Sequence, residues 1–206
     1  KMDLIEILQK TITGTPEELE ETYYFLKEQQ GNPEYISCLL EILSNCDIEE
    51  NIRLQAAIQL KIQVQNDPDL QIDFSTICTL IGISPILIQL QLQIILYSFI
   101  KKRVDSDEIE QIASICAEFI ETDANYALVS VMILRFLVKL LPLKAKSRPS
   151  EINYEFIISY VPFDQFFEPI ANLILSFLES EDISQYLLFI HSSLHMIAKF
   201  LDKIAP

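Results

Sequence analysis

Helix-breaking segments interrupt this chain at regular intervals, and the regularity constrains its fold more than any other feature. Between the breaks, apolar residues recur at steps of three and four, which is typical of helices with one buried face. Pairs of predicted helices begin near residues 2, 34, 70 and 107. The interval of about 32 to 37 residues is typical of HEAT or armadillo repeats. A four-helix bundle accounts for neither the number of helices nor their spacing.

The pattern predicts an all-α fold, a right-handed α-solenoid of about five antiparallel HEAT-type helix pairs. We expect residues 1–206 to form a single domain. Because the last helix remains rich in apolar residues on its outer face, we expect the chain to be a fragment of a longer solenoid. The predicted pairs cover approximately residues 2–30, 34–64, 70–102, 107–141 and 151–204.

Capping signals and apolar spacing refine this prediction. Thr15 and Glu18 predict a capping box at the start of the second helix. Ser84 followed by Pro85 predicts a cap and first helical position, and Pro142 predicts a helix end. The residues expected to face inward in the first three helices are Leu4, Ile5, Leu8 and Ile12; Leu19, Tyr23 and Leu26; and Ile36, Leu39, Leu40 and Leu43.

The composition supports helices and disfavours several functions. Half of the residues are hydrophobic, yet there are only three glycines, which argues against an all-β fold with many tight turns. The 15 Lys and Arg residues against 30 Asp and Glu residues give a net charge of −15. This charge disfavours direct binding of nucleic acid and favours basic partners, although solubility alone accounts for it equally well.

Residues 75–100 carry no charge and are long enough to cross a membrane. Ser84 and Pro85 divide the segment, and Gln89, Gln91 and Gln93 would lie near the membrane centre at a substantial cost. Two buried helices that meet at a turn therefore fit better than membrane insertion. A membrane-associated helical protein built around this segment is the alternative.

Motifs of catalysis and cofactor binding are missing from the sequence, so we expect neither an enzyme nor a cofactor. There is no Gly-rich phosphate loop, no G-x-S-x-G and no plausible Cys–His pair. His191 and His195 stand four residues apart but lack the intervening Glu of a metalloprotease and a third ligand. No metal site is therefore expected. The four cysteines lie in apolar runs without a C-x-x-C and are predicted to be free, buried thiols: Cys38, Cys46, Cys78 and Cys116.

Polar residues follow the second helix of successive pairs at four-residue spacing, so each set forms one stripe on its helix. The stripes are Gln55, Gln59 and Gln63; Gln89, Gln93, Tyr97 and Lys101; Arg135 and Lys139; and His191, His195 and Lys199. In a solenoid these helices line the concave surface. Because the stripes contain almost no acids in an acidic chain, they predict a protein-binding concave face. An ordinary solvated face is the alternative.

The stretch Glu50–Val64 holds both a buried and a polar line. Ala56, Ala57, Leu60 and Val64 recur at helical steps and predict a stripe that a neighbouring helix can approach closely. Arg53, Ala56, Leu60 and Lys61 stand in the order R-x-x-A-x-x-x-L-K. Together with the opening D-L-I-E-I-L-Q-K-T-I-T-G-T-P-E-E-L-E-E-T, this order resembles the N-terminal module of the importin-beta superfamily of nuclear transport receptors. The later L-R-F-L-V-K-L-L, which contains Lys139, is similar to the fourth pair, and the basic loop after it resembles the importin seven/eight-type branch.

The resemblance implies a karyopherin whose N-terminal concave face binds the GTP form of the small GTPase Ran. It implies GTPase contacts for Lys61 and Lys139. We expect Lys61 to reach the GTPase or the edge of the groove, and Arg53 to bond to carbonyl groups or an acid of the adjacent repeat. The full predicted partner-binding face comprises Gln55, Gln59, Lys61, Gln63, Gln89, Gln93, Tyr97, Lys101, Arg135 and Lys139.

Further implications concern partners and location. The resemblance implies protein cargo, expected to be basic, Phe-Gly nucleoporins as further partners, and shuttling between cytoplasm and nucleus. Import and export both remain open. The alternative function is a HEAT-repeat scaffold or adaptor unrelated to nuclear transport.

Overall fold

The computed structural model describes residues 3–67, 70, 72–103, 106–146 and 161–204. In these ranges the chain forms α-helices and no strand, so the predicted all-α helical-repeat fold class is confirmed. The predicted start of the last pair near residue 151 lies outside the described residues. The helices are α1 (Leu4–Thr13), α2 (Pro16–Glu28), α3 (Pro33–Ser44), α4 (Glu50–Asn66), α5 (Phe74–Ile83), α6 (Ile86–Arg103), α7 (Ser106–Thr122), α8 (Ala124–Lys146), α9 (Asp164–Leu178) and, after a 3-10 turn at Ile183–Tyr186, α10 (Leu187–Ile204).

Side-chain caps set the starts of several helices. The predicted capping box of α2 is confirmed, because the Glu18 N–H donates to Thr15 Oγ1 at 3.4 Å and the Thr15 N–H donates to Glu18 Oε2 at 2.9 Å. Asp73 caps α5 by accepting from the Thr76 N–H at 3.0 Å. This cap moves the start of α5 from the predicted Leu70 to Phe74, since the residues before a cap lie outside the helix.

The predicted Ser84 cap is wrong. The Pro85 carbonyl accepts from the N–H groups of Ile88 and Gln89, both at 3.0 Å, so Pro85 precedes the first helical residue. Ser84 Oγ is buried and has no hydrogen-bond partner among the described residues. The predicted helix end at Pro142 is also wrong, because α8 continues to Lys146. A proline inside a helix removes one hydrogen bond and can kink the helix without ending it.

The chain divides into two compact units, Lys1–Ser98 and Phe99–Pro206. In the first unit, α3 and α4 pack along each other and α1 packs against α2 and α4. Ala56, Ala57 and Leu60 are fully buried, as the sequence predicts. Their small or slender side chains let α4 lie close to its neighbours.

Burial on α2 differs from the prediction. Leu26 is buried, but Leu19 and Tyr23 are 43% and 60% exposed, and Thr22 is buried instead. The reason is that α2 packs mainly against α1, so only a narrow stripe at Thr22 and Leu26 is covered. On α1, Ile7 and Leu8 form the buried stripe, whereas the predicted core residue Ile12 is exposed. On α3, Leu40 is half-buried rather than buried.

In the second unit, α7 and α8 are joined through Asp123 and pack along each other, and α8 also packs along α10. The Ser130 hydroxyl of α8 donates to the Cys116 carbonyl of α7 at 2.8 Å. The rings of Phe163 and Phe200 lie 4.2 Å apart between centroids and help to join the start of α9 to α10. These contacts make α8 the central helix of this unit.

The four cysteines are free, but only two of them match the predicted burial. Cys78 and Cys116 are buried, whereas Cys38 and Cys46 are exposed. Cys38 lies on the outer side of α3 and Cys46 in the turn after it, which the apolar character of the run did not reveal. Among the helices that the structure describes, none has the length and apolar character needed to cross a membrane.

Candidate protein-binding site

The three glutamines of the predicted stripe on α4 differ in burial and in role. Gln55 and Gln59 are half-buried, and their outer parts reach the surface. Gln63 is only 2% exposed, and its Oε1 atom accepts a hydrogen bond of 3.0 Å from the Gly31 N–H. The predicted partner-binding role of Gln63 is therefore corrected to a structural one, because its acceptor is already used in holding the α2–α3 loop.

Gly31 gives this loop its shape. Its φ of 76° lies in the left-handed region, which residues with a Cβ rarely adopt. The turn directs the Gly31 N–H towards α4, where Gln63 accepts it. The loop between α2 and α3 is thereby fixed to a helix that lies 32 residues further along the chain.

Arg53 is a buried structural residue. It is 4% exposed, and its Nε and Nη2 atoms donate to the Leu43 carbonyl oxygen at 3.2 and 3.0 Å. The carbonyl lies in the last turn of α3, where helix carbonyls have no partner within the helix. The prediction that Arg53 bonds to carbonyl groups is confirmed, but the acceptor belongs to the other helix of the same pair.

Lys61 links α4 to α6. Its Nζ atom donates to Gln91 Oε1 at 2.7 Å, and the lysine side chain is half-buried. Sequence reasoning missed Gln91 because it stands two residues from both Gln89 and Gln93, outside their four-residue stripe. The run of three alternate glutamines was the available signal that more than one face of α6 is polar.

The predicted stripe on α6 separates into buried and accessible residues. Gln89 is 7% exposed, and its Nε2 atom donates to the Ile81 carbonyl in the last turn of α5 at 3.0 Å. Its predicted partner-binding role is therefore wrong, since the amide satisfies a helix end. Gln93 and Tyr97 are half-buried and Lys101 is exposed.

A groove of about 170 Å³ runs between α2 and α4 in the first unit. The surface that lines the groove is mainly apolar. Tyr23 stands at the groove, and the Lys27 ammonium lies 5.9 Å from the centre of its ring, within range of a cation–π contact. The residues that line the groove are Tyr23, Leu26, Lys27, Gln30, Gln59, Ile62 and Gln63.

The second unit brings together the stripes of α8 and α10. Partial burial lowers the pKa of the His195 imidazole, and the positive charges of Arg135, Lys199, His191 and Lys139 lower it further. The His191 and His195 rings lie 6.2 Å apart between centroids. Within the part of the chain that the structure describes, no three His, Cys, Asp or Glu side chains are placed to hold a metal ion.

The paired helices define the chain as an all-α helical-repeat protein. Residues 24–76 match the family model of the importin-beta N-terminal domain. The match spans about a quarter of the chain and confirms the predicted resemblance to the importin-beta superfamily. The match covers the end of α2, all of α3 and α4, and the first residues of α5.

The other two comparisons gave no relatives. Neither the search of curated proteins nor the search of solved structures returned a significant match. The assignment to the importin seven/eight-type branch stays a prediction.

Proposed function

We propose that this chain belongs to a nuclear transport receptor that binds Ran-GTP through the exposed residues of α2, α4 and α6. The observation that carries the proposal is the match of residues 24–76 to the importin-beta N-terminal domain. In members of the superfamily this region binds the GTP form of Ran. The matched segment includes all of α4, which bears Lys61 and the accessible Gln55 and Gln59.

The groove between α2 and α4 supports a protein ligand. Exposed aromatic residues beside a small apolar recess are typical of the positions that dominate binding energy in protein interfaces. Tyr23 and Tyr24 are 60% and 56% exposed, and Tyr23 also lines the groove. A side chain of the partner can enter the recess while Gln59 and Lys27 offer polar contacts at its edge.

Lys61 is the cation of α4 that the resemblance assigns to the GTPase. Its ammonium group has three N–H donors, and its bond to Gln91 uses one of them. The bond also holds the long side chain in one position, which reduces the conformational entropy that a partner must remove on binding. Arg53, Gln63 and Gln89 are left out of the proposed surface because their polar groups bond within the protein.

The proposed role is regulated binding rather than catalysis. Ran-GTP on this surface would control the binding and release of protein cargo, with Phe-Gly nucleoporins as further partners and with shuttling between nucleus and cytoplasm. The GTPase contacts predicted for Lys101, Arg135 and Lys139 stay predictions. The competing function is a HEAT-repeat scaffold.

Binding of Ran in its two nucleotide states tests the proposal. The 206-residue chain should bind GTP-locked Ran much more tightly than GDP-bound Ran in calorimetric titrations. Equal affinity for both states, or no binding of either, would favour the scaffold.

Two neighbouring tyrosines provide a matched test of the surface. Tyr23→Ala should weaken the binding of Ran-GTP by about tenfold, because Tyr23 lines the groove, whereas Tyr24→Ala should change it little. Lys61→Ala, alone and together with Lys139→Ala, should also weaken binding. Circular dichroism checks that each variant is folded. An unchanged affinity in folded Lys61→Ala, Lys139→Ala protein would contradict the assignment of these two lysines.

A further inference from the structure

Five basic side chains gather where α8 and α10 pack along each other. We call them the α8–α10 basic cluster: Arg135 and Lys139 of α8, and His191, His195 and Lys199 of α10. Lys139, His191 and Lys199 are exposed, and Arg135 and His195 are half-buried. Their positive charges lie close enough to His195 for each of them to lower its pKa. The packing of α8 along α10 therefore brings basic side chains of both helices near His195.

The charge of this cluster contrasts with the rest of the chain. The protein carries a net charge of −15, yet among the residues that the structure describes, the charged groups that lower the pKa of His195 are cations. Lys199 has a carboxylate nearby, Asp202 at 3.8 Å, but the two side chains are 53% and 71% exposed. Such an exposed ion pair is weak and can exchange for another acid. The cluster is therefore a place where an anionic ligand gains favourable contacts.

We propose that the α8–α10 basic cluster binds a short acidic segment of a partner protein. From His191 to Lys199 the helix advances about 12 Å, which an extended chain covers with about four residues. A run of about four or five acidic residues therefore matches the cluster in length. Arg135 can receive one carboxylate through two parallel hydrogen bonds, and the two lysines can each pair with another.

The dimensions and the surrounding charge favour a short acidic peptide over nucleic acid. At physiological ionic strength, charges more than about 8 Å apart are largely screened, so a ligand confined to the cluster is little affected by distant acids. A nucleic acid strand would extend beyond the cluster, and the net charge of −15 would repel its phosphates there. This repulsion is absent for a segment that ends within the cluster.

Fluorescence anisotropy with a labelled pentaglutamate peptide tests the proposal on the full chain. We expect saturable binding at about 0.1 M salt that weakens as salt is raised, and no binding of the uncharged pentaglutamine control. The double variant Lys139→Gln, Lys199→Gln should weaken binding by about tenfold, since each helix then loses one charge pair. Both side chains are exposed, so the variant should fold.

Lys10→Gln is the matched control, because it removes a lysine from α1 in the first unit and should leave pentaglutamate binding unchanged. Equal affinity for the wild-type chain and the double variant would overturn the proposal, and so would the absence of any pentaglutamate binding. Tighter binding of a thymidine pentanucleotide than of the peptide would overturn it in favour of a nucleic-acid site. Arg135 and Lys139 are also predicted GTPase contacts, but the peptide titration contains no Ran, so failure of peptide binding is distinguishable from failure of Ran binding.

Discussion

The Arg53 guanidinium group donates two hydrogen bonds, of 3.2 and 3.0 Å, to the carbonyl oxygen of Leu43. Arg53→Met removes both donors but keeps most of the side-chain length. We expect the free energy of unfolding to fall by about 1–3 kcal/mol, because the buried carbonyl loses its partner. Urea denaturation measures the change, with Gln55→Met on the same helix as the control. Equal stability of the two variants would contradict this role of Arg53.

Gln63 and Gln59 are one helical turn apart on α4 and differ in their role. Gln63→Ala should lower the free energy of unfolding by about 1–2 kcal/mol, because the Gly31 N–H loses its acceptor. Gln59→Ala should change it by less than about 0.5 kcal/mol, since its side chain is partly exposed. Thermal or urea denaturation of both variants provides the comparison. A larger loss in Gln59→Ala would show that the two positions are assigned wrongly.

Tyr35 is buried with a hydroxyl that has no hydrogen-bond partner among the described residues. Burial raises the pKa of its phenol above the ordinary value. Tyr35→Phe should raise the free energy of unfolding by about 1 kcal/mol, because the cost of burying an unpaired hydroxyl disappears. The exposed Tyr24→Phe is the control and should have little effect. A destabilised Tyr35→Phe protein would mean that the hydroxyl forms a bond in solution.

The cysteines should differ in their reaction with iodoacetamide. Cys38 and Cys46 are exposed and should be labelled in the native protein. Cys78 should resist, because burial, with a smaller effect of Asp73, raises the pKa of its thiol to about 12 and the thiolate is the reactive form. Cys116 is buried and should resist as well. Mass spectrometry of peptides before and after unfolding in urea measures the labelling, and rapid native modification of Cys78 would refute the prediction.

His195 should make the folded protein less stable at acidic pH than at neutral pH. Its folded pKa is lowered, so the unfolded chain, with a His pKa of about 6.5, binds more protons in the window just below that value. The contribution of His195 is fully present above about pH 6.5 and declines as pH falls towards the lower folded pKa. Between pH 8 and 5.5 the melting temperature of wild-type protein should therefore decrease more than that of His195→Gln. Parallel slopes for the two proteins would exclude the effect.

Helical spacing predicts which face of a helix is buried when apolar residues define the face. On α4, Ala56, Ala57 and Leu60 are buried as expected, and the Thr15–Glu18 capping box forms because its partners are three residues apart. Such features depend on local geometry alone. The prediction that Arg53 bonds to carbonyl groups was also correct, since a buried guanidinium group must find hydrogen-bond acceptors.

The polar stripes were harder to interpret, because residue spacing predicts which side of a helix a side chain lies on but does not predict its hydrogen-bond partner. Gln63 and Gln89 lie in stripes with accessible glutamines, yet each bonds to a backbone group of another element. The N–H group that donates to Gln63 is 32 residues away along the chain. The carbonyl that accepts from Gln89 is eight residues away, across a turn. Burial on α2 was misjudged for a related reason, since the width of its covered stripe depends on how few helices pack against it.

The bond between Gly31 and Gln63 connects loop geometry to ligand recognition. Gln63 forms part of the groove wall while its amide oxygen holds the loop, so the two features share one side chain. Any residue with a Cβ at position 31 would strain a backbone of φ 76° and pull on that amide. A substitution at position 31, which lies outside the recess, would thus change the shape of the recess. The affinity for a partner would then depend on the conformation of a turn that the partner does not contact.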